Sequence, residues 1–228
     1  MRGEIMTKKL FISALTRCAL GVILVFLLIF LPAGTVRFTK GWILMGVLFL
    51  PMLIAGFVMM IKNPLLLEKR LKFDEEQKQQ KTVIAKSAVM FIVGFVVAGL
   101  DFRFSWLRLP NIVTVIATAV FLLAYLLYAE VLRENTYLSR TVEIQENQKV
   151  IDTGLYSIVR HPMYLSSILL FLSMPFVLGS LYSFVVFLVY PFVIAKRIKY
   201  EEQLLEKELS GYKEYKQKVK YRLIPLIW

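Results

Sequence analysis

The stretch HPMYLSSILLFLSMPFVLGSLYSFVVFLVYPFVIAKRIKYEE, residues 161–202, decides the fold. Two apolar runs, Met163–Leu178 and Leu181–Ala195, are separated only by Gly179 and Ser180, so the pair predicts a tight antiparallel helical hairpin. Pro162 suits the first turn of the outgoing helix, because it has no N–H to leave unsatisfied and its φ is already helical. Counting along the chain, Pro162 to Leu178 and Leu181 to Arg197 are both 16 steps. At a common rise per residue, Arg197 returns to the depth of Pro162, and Glu201 lies one turn beyond it on the same helical face.

Working outward, four more apolar runs precede the hairpin: Leu10–Leu31, Trp42–Ile61, Val83–Leu100 and Ile112–Leu132. Each approaches the roughly 20 residues that a helix needs to cross a hydrocarbon core. The expected fold is therefore all-α, a polytopic integral membrane protein of about six transmembrane helices, with residues 1–228 as a single membrane domain. Composition agrees: of 228 residues, 58% are hydrophobic and 19% charged, and the mean hydropathy is +0.65. The first run is too long for the apolar stretch of a secretory signal, and no A-x-A site follows it, which favours a retained helix.

The formal charge of +12 would raise nucleic acid as a partner in a soluble protein. Here topology accounts for it. With a cytoplasmic N-terminus, all Lys and Arg fall on the inner side except Arg37, Lys40, Arg103 and Arg108. That asymmetry predicts both termini in the cytoplasm and attraction to anionic lipid, with no call for nucleic acid. Cys18 is the sole cysteine and lies in an apolar run, so an intramolecular disulfide is excluded. The single histidine, His161, argues against a Ser-His-Asp triad, and no zinc cluster, P-loop or GxGxxG fingerprint is present.

Three polar segments lie on the same inner side. NPLLLEKRLKF, residues 63–73, places leucines opposite Lys69, Arg70 and Lys72, the pattern of an interfacial amphipathic helix, with substrate gating as the alternative. TVEIQENQKVID, residues 141–152, alternates apolar and polar positions and predicts a short β-hairpin. The C-terminal segment extends the last helix to about Ser210-Gly211, and the basic, aromatic residues beyond are expected on the surface.

These placements predict one pocket at the inner interface. It combines the positive end of the helix starting at Pro162, flanked by Arg160 and His161, with Tyr164, Arg197, Glu201 and Glu202. Taken singly, each residue has a structural explanation: a helix cap, a positive-inside cation or a solvated acid. Taken together, ionisable groups converging near a bilayer mark a functional site. A zwitterionic ligand suits it, with its carboxylate at the helix start and its ammonium at an acid.

RHPMY, followed after one hairpin by RIKYEEQLL and then GYKEYKQKVKYRLIP, resembles the isoprenylcysteine carboxyl methyltransferase family. That family belongs to a wider group with phospholipid methyltransferases and, in its C-terminal motif, some sterol reductases. NPLLLEKRLKF and TVEIQENQKVIDTGLYSIVRHPMY look like its bacterial branch, and residues 130–228 carry the motifs. The resemblance implies an integral enzyme of a bacterial cell membrane that uses S-adenosyl-L-methionine, with its active site facing the cytoplasm. It further implies cofactor contacts at Gln148, Lys149, Val150, Ile151, Tyr156, His161, Pro162, Met163 and Tyr164. The matching carboxylate is Glu201, with Glu202 its neighbour, and Arg197 matches the arginine that faces the substrate and serves catalysis. The implied partners are the bilayer and a lipophilic or lipidated acceptor; no oligomeric state follows.

A methyl sulfonium needs no metal, so catalysis consists mainly of aligning the acceptor and excluding water. A carboxylate acceptor is ionised at neutral pH and needs no strong base, whereas an amine or thiol must lose a proton. The residues thus lean toward carboxyl O-methylation. Phospholipid N-methylation and small-thiol S-methylation stay open within the group, and a small non-enzymatic transporter stays open outside it.

Overall fold

The computed structural model describes residues 2–71, 78–138, 144–145 and 147–228, except for the side chains of 2–8 and 78–80. Among the described residues the regular elements are all helical. They are α1 (Arg2–Ala33), α2 (Thr39–Lys62), α3 (Pro64–Leu71), α4 (Lys78–Phe104), α5 (Asn111–Glu134), α6 (Pro162–Leu178), α7 (Leu181–Phe187), α8 (Val189–Glu208) and α9 (Tyr212–Lys218). A 3-10 turn at Gly154–Ser157 precedes α6. Among the described residues, five spans are long and apolar enough to cross a membrane: Lys9–Ala33, Thr39–Lys62, Lys81–Phe104, Asn111–Glu134 and the continuous path Leu181–Glu208. The remaining apolar helix, α6, has 17 residues, about 25 Å at 1.5 Å per residue and so shorter than a typical hydrocarbon core. The architecture is that of a polytopic membrane protein, with large apolar side chains such as Phe192 (75% exposed) and Leu126 (67%) left on the outer faces.

The hairpin forms as its turn residues dictate. Gly179 caps α6 with φ 76°, a left-handed conformation that glycine adopts without a Cβ penalty. Ser180 then caps α7, its hydroxyl accepting from the Ser183 N–H at 3.2 Å. The returning arm is interrupted at Leu188, between α7 and α8. Pro191 explains the break, because it cannot donate to the carbonyl of Phe187 four residues earlier and its ring crowds that carbonyl.

Helix α6 packs mainly on α5, α1 on α4, and α7 and α8 on α4. Phe121, Met174, Val177, Phe187 and Ile198 are buried in the shared core. Close approach depends on small residues: a Cβ on Gly94 would lie 2.3 Å from the Phe187 ring, and one on Gly99 would lie 2.5 Å from the backbone oxygen of Ile29. Polar links between helices reinforce the packing, Ser183 Oγ donating to the Gly94 carbonyl at 2.8 Å and the Tyr125 hydroxyl to the Leu48 carbonyl at 2.7 Å.

Two expectations change. The β-hairpin at 141–152 falls partly outside the described residues, and the described part forms no strand. It forms a turn at Asn147 (φ 57°), closed by Gln145 N–H donating to Gln148 Oε1 at 2.9 Å and Gln148 N–H donating to the Gln145 carbonyl at 3.1 Å. Local side-chain bonds of this kind compete with strand pairing. The C-terminal segment lies on the surface only in part: Lys213, Lys218 and Lys220 are exposed, whereas Tyr212, Tyr215, Val219 and Leu223 are buried. Apolar side chains at 212, 215 and 219 share one side of α9 and its exit, and that side faces inward.

Of the amphipathic segment 63–73, residues Lys72 and Phe73 lie outside the described residues. The rest forms α3, starting at Pro64, with Leu66 and Leu67 buried. Arg70 reaches the Tyr128 hydroxyl and lies 3.8 Å from Met163 Sδ. Lys69 Nζ donates to Gln145 Oε1 at 2.5 Å, tying α3 to the Asn147 turn.

Candidate active site

The start of α6 is held by the C-terminal segment. Arg160 N–H donates to the Tyr221 carbonyl and His161 N–H to the Arg222 carbonyl, each at 2.9 Å. The donors expected to greet an anion there are therefore partly engaged within the protein. Below them, Glu202 is 2% exposed. Its Oε1 accepts from Arg160 Nε at 2.7 Å and lies 3.1 Å from His161 Nε2; its Oε2 accepts from Arg222 Nε at 2.9 Å. A carboxylate only accepts, so His161 Nε2 carries the proton in that contact. Arg160 Nη1 also donates to the Val219 carbonyl at 2.6 Å. The result is a buried, charge-paired joint between α8, the α6 start and the chain end.

Beside that joint opens a cavity with about 860 Å³ of empty space, the open solvent at its mouth included. Gln148, Lys149, Val150 and Ile151 line it from the loop before the 3-10 turn, and Tyr156 from that turn. His161, Met163 and Tyr164 line it from the start of α6, Arg197 and Glu201 from α8. Pro162 and Glu202 do not line it: Pro162 sets the helix start, and Glu202 is enclosed by Arg160, His161 and Arg222. The structure thus brings ten of the twelve expected site residues to one wall.

Arg197, Tyr164 and Glu201 form a directed chain. Arg197 Nε donates to the Tyr164 hydroxyl at 2.9 Å, and that hydroxyl donates to Glu201 Oε2. The equal arms of the hairpin account for this meeting. Tyr164 lies in the first turn of α6, Arg197 is at the matching depth of α8, and Glu201 is one turn beyond it.

Other lining residues were not singled out from sequence. Asn135 and Tyr137 follow α5, and Tyr212 and Tyr215 come from α9; Arg160, which the sequence places beside the helix start, lines the cavity as well. Asn135 Nδ2 donates to the Tyr156 hydroxyl at 3.0 Å, and the Tyr215 hydroxyl donates to the Tyr156 carbonyl at 2.7 Å. Burial pushes the Tyr156, Tyr212 and Tyr215 phenols well above the ordinary tyrosine range, so all three stay neutral at physiological pH. The signal for α9 was the Tyr-x-x-Tyr spacing at 212 and 215, one helical side within a run otherwise read by its charges. Asp152 pairs with Lys218 at 2.9 Å, linking the cavity loop to α9, and the Lys218 hydrogen bond holds its carboxyl below the usual range.

The wall carries both signs of charge, with Glu201 as the acid and Arg160, Lys149 and Arg197 as bases. It also has a phenol, Tyr212, whose buried oxygen has no hydrogen-bond partner among the described residues. A zwitterionic ligand, with an ammonium for Glu201 and a carboxylate for the cationic side chains, suits that donor set.

Residues 112–211 match the model of the phospholipid methyltransferase family. The matched stretch begins at the first turn of α5 and ends just before α9. It contains Gln148 to Ile151, the 3-10 turn, the α6 start and both Arg197 and Glu201, so the cavity is built largely from it. The match is to the group of membrane methyltransferases that also holds the isoprenylcysteine family, and it does not distinguish the two acceptor classes. No curated protein matches the chain.

Proposed function

We propose that this chain is a membrane methyltransferase that uses S-adenosylmethionine to methylate a lipophilic acceptor at the cytoplasmic interface of a bacterial membrane. The reading rests above all on the Arg197–Tyr164–Glu201 chain, which faces a two-signed cavity walled by helices whose outer faces are apolar. Bound there, S-adenosylmethionine would supply a methyl group already activated as a sulfonium, without a metal. The protein's tasks are then to hold the donor, align the acceptor and keep water out.

In this reading Glu201 binds the donor's ammonium through the oxygen not engaged by Tyr164. The loop 148–151 covers the donor, and Arg197 grips the acceptor. Arg197 favours a carboxylate acceptor, because a guanidinium can orient it with two parallel hydrogen bonds and no proton has to leave. Carboxyl O-methylation of an isoprenylcysteine-like molecule is therefore the leading form. The family match favours a second form, N-methylation of a phospholipid headgroup, in which Glu201 would accept the amine proton.

The deciding experiment incubates detergent-solubilised protein with methyl-labelled S-adenosylmethionine. One arm contains a prenylated cysteine, and another contains vesicles of phosphatidylethanolamine. Label entering the prenylcysteine as a base-labile ester supports the first form; label entering the headgroup supports the second. Glu201→Gln and His161→Ala are expected to lose cofactor binding, and full affinity in both would reject the assigned cavity.

A further inference from the structure

Burying a hydroxyl without a partner is costly, so native proteins seldom do it without a reason. Tyr212 is 4% exposed, its oxygen is buried without a hydrogen-bond partner among the described residues, and the residue lines the cavity. Tyr215, three residues on, has its hydroxyl engaged with the Tyr156 carbonyl. The contrast between two adjacent phenols on α9 marks Tyr212 as the one left for something the cavity receives.

The charges nearby say what that is. Arg160 lines the same cavity as Tyr212. Glu202 is a single carboxylate set among Arg160, Arg222 and His161, so this joint carries at least one net positive charge behind the cavity wall. Arg160 uses Nε and Nη1 on Glu202 and Val219, while Nη2 makes no hydrogen bond among the described residues. A guanidinium only donates. The neutral phenol can donate too, so the two residues offer donors to an accepting group. The backbone donors of Arg160 and His161, the other candidates for an anion, are engaged by Tyr221 and Arg222.

We propose that the Tyr212 hydroxyl, assisted by Arg160 Nη2, receives the α-carboxylate of the methyl donor. This deepens the reading of the cavity as an S-adenosylmethionine site and rests on it. The amino-acid end of the donor then lies between Glu201, which takes the ammonium, and Tyr212 with Arg160, which take the carboxylate. Gly211 sets the position: its φ of 83° turns the chain from α8 into α9 with Tyr212 as the first helical residue.

The test measures equilibrium binding of S-adenosylmethionine and of its decarboxylated analogue to the full-length protein in detergent, for wild type and Tyr212→Phe. Wild type is expected to prefer the carboxylate-bearing ligand by at least about tenfold. Tyr212→Phe is expected to lose about tenfold toward S-adenosylmethionine while binding the analogue within about twofold of wild type. The melting temperature of unliganded Tyr212→Phe should equal or exceed that of wild type, because an unsatisfied buried oxygen is removed. Equal losses toward both ligands, no loss toward either, or a lowered unliganded melting temperature with both affinities gone would each overturn the proposal. If wild type binds S-adenosylmethionine but Tyr212→Phe is unaffected, only this assignment fails; if wild type binds neither ligand, the cofactor reading fails with it.

Discussion

Replacing Glu202 by glutamine should unfold the protein more readily rather than simply abolish ligand binding. The Glu202 and Arg160 side chains are 3% and 4% exposed, and one carboxylate serves Arg160, His161 and Arg222 at 2.7, 3.1 and 2.9 Å. A glutamine keeps the shape but offers one acceptor oxygen, so its NH₂ must face either Arg222 or the Arg160 and His161 pair, donor against donor. The guanidinium of Arg160 then stays buried without its counter-charge. Breaking a buried pair from one side costs about 3–5 kcal/mol. The Arg222 share is smaller, since that side chain is 26% exposed and solvent screens it. For a chain of this size each kcal/mol moves the melting temperature by about 2–4 °C, so the expected fall is about 6–20 °C. Circular dichroism melts in a fixed detergent read it directly. A melting temperature within about 2 °C of wild type, together with a collapse of S-adenosylmethionine affinity, would refute the reasoning and make Glu202 a ligand contact.

Glu201→Gln should show the reverse pattern, an unchanged melt with lost cofactor binding; a large fall in melting temperature with retained affinity would exchange the roles of the two acids. Arg197→Ala should keep near-normal cofactor affinity and lose turnover, measured by binding and methyl transfer on the same sample; weakened cofactor binding as its main defect would contradict a substrate role. Gly94→Ala should lower stability by about 1–3 kcal/mol, the cost of overpacking a close contact, because the new methyl would lie 2.3 Å from the Phe187 ring. Phe187→Leu in the same chain should recover part of that loss in the melt, and no recovery would remove the steric explanation.

The hairpin and the meeting of Tyr164, Arg197 and Glu201 were legible because they follow from counting. Once Pro162 starts one helix and Gly179 ends it, equal arms leave little freedom in what faces what. What Glu202 meets was not legible in this way. Adjacent helical residues point about 100° apart, so with Glu201 on the face of Arg197 its neighbour must turn elsewhere, but counting gives no hint toward what. The answer came from the three donors that meet Glu202. Two are at 160–161 and one at 222, and that convergence is a tertiary fact with no local signature. The burial of α9 was hidden for a related reason. Its tyrosines are interleaved with Lys213, Glu214, Lys216 and Lys218, so charge dominated the reading, while the inward side emerged only when Val219 and the carbonyls of Tyr221 and Arg222 docked on the α6 start. At Asn147 the alternation of apolar and polar residues mimics strand pairing, whereas the Gln148 side chain and the backbone of Gln145 and Gln148 close a turn there.

The polarity of one phenol joins the two halves of the proposed reaction. Arg197 Nε can only donate, so the Tyr164 oxygen must accept from it, and the single phenolic proton is then directed to Glu201. The group that would grip a lipid-borne acceptor and the group that would hold a water-borne donor are therefore two hydrogen bonds apart, with their orientations fixed relative to each other. Alignment is the main source of rate when the leaving group is already activated, and a rigid link between the two binding groups supplies it better than either alone. The link can exist only where a helix start and a returning helix end reach the same depth. That requirement gives physical sense to the short spacer of Gly179 and Ser180, the equal arms on either side of it, and a cavity at the ends of the helices rather than midway along them.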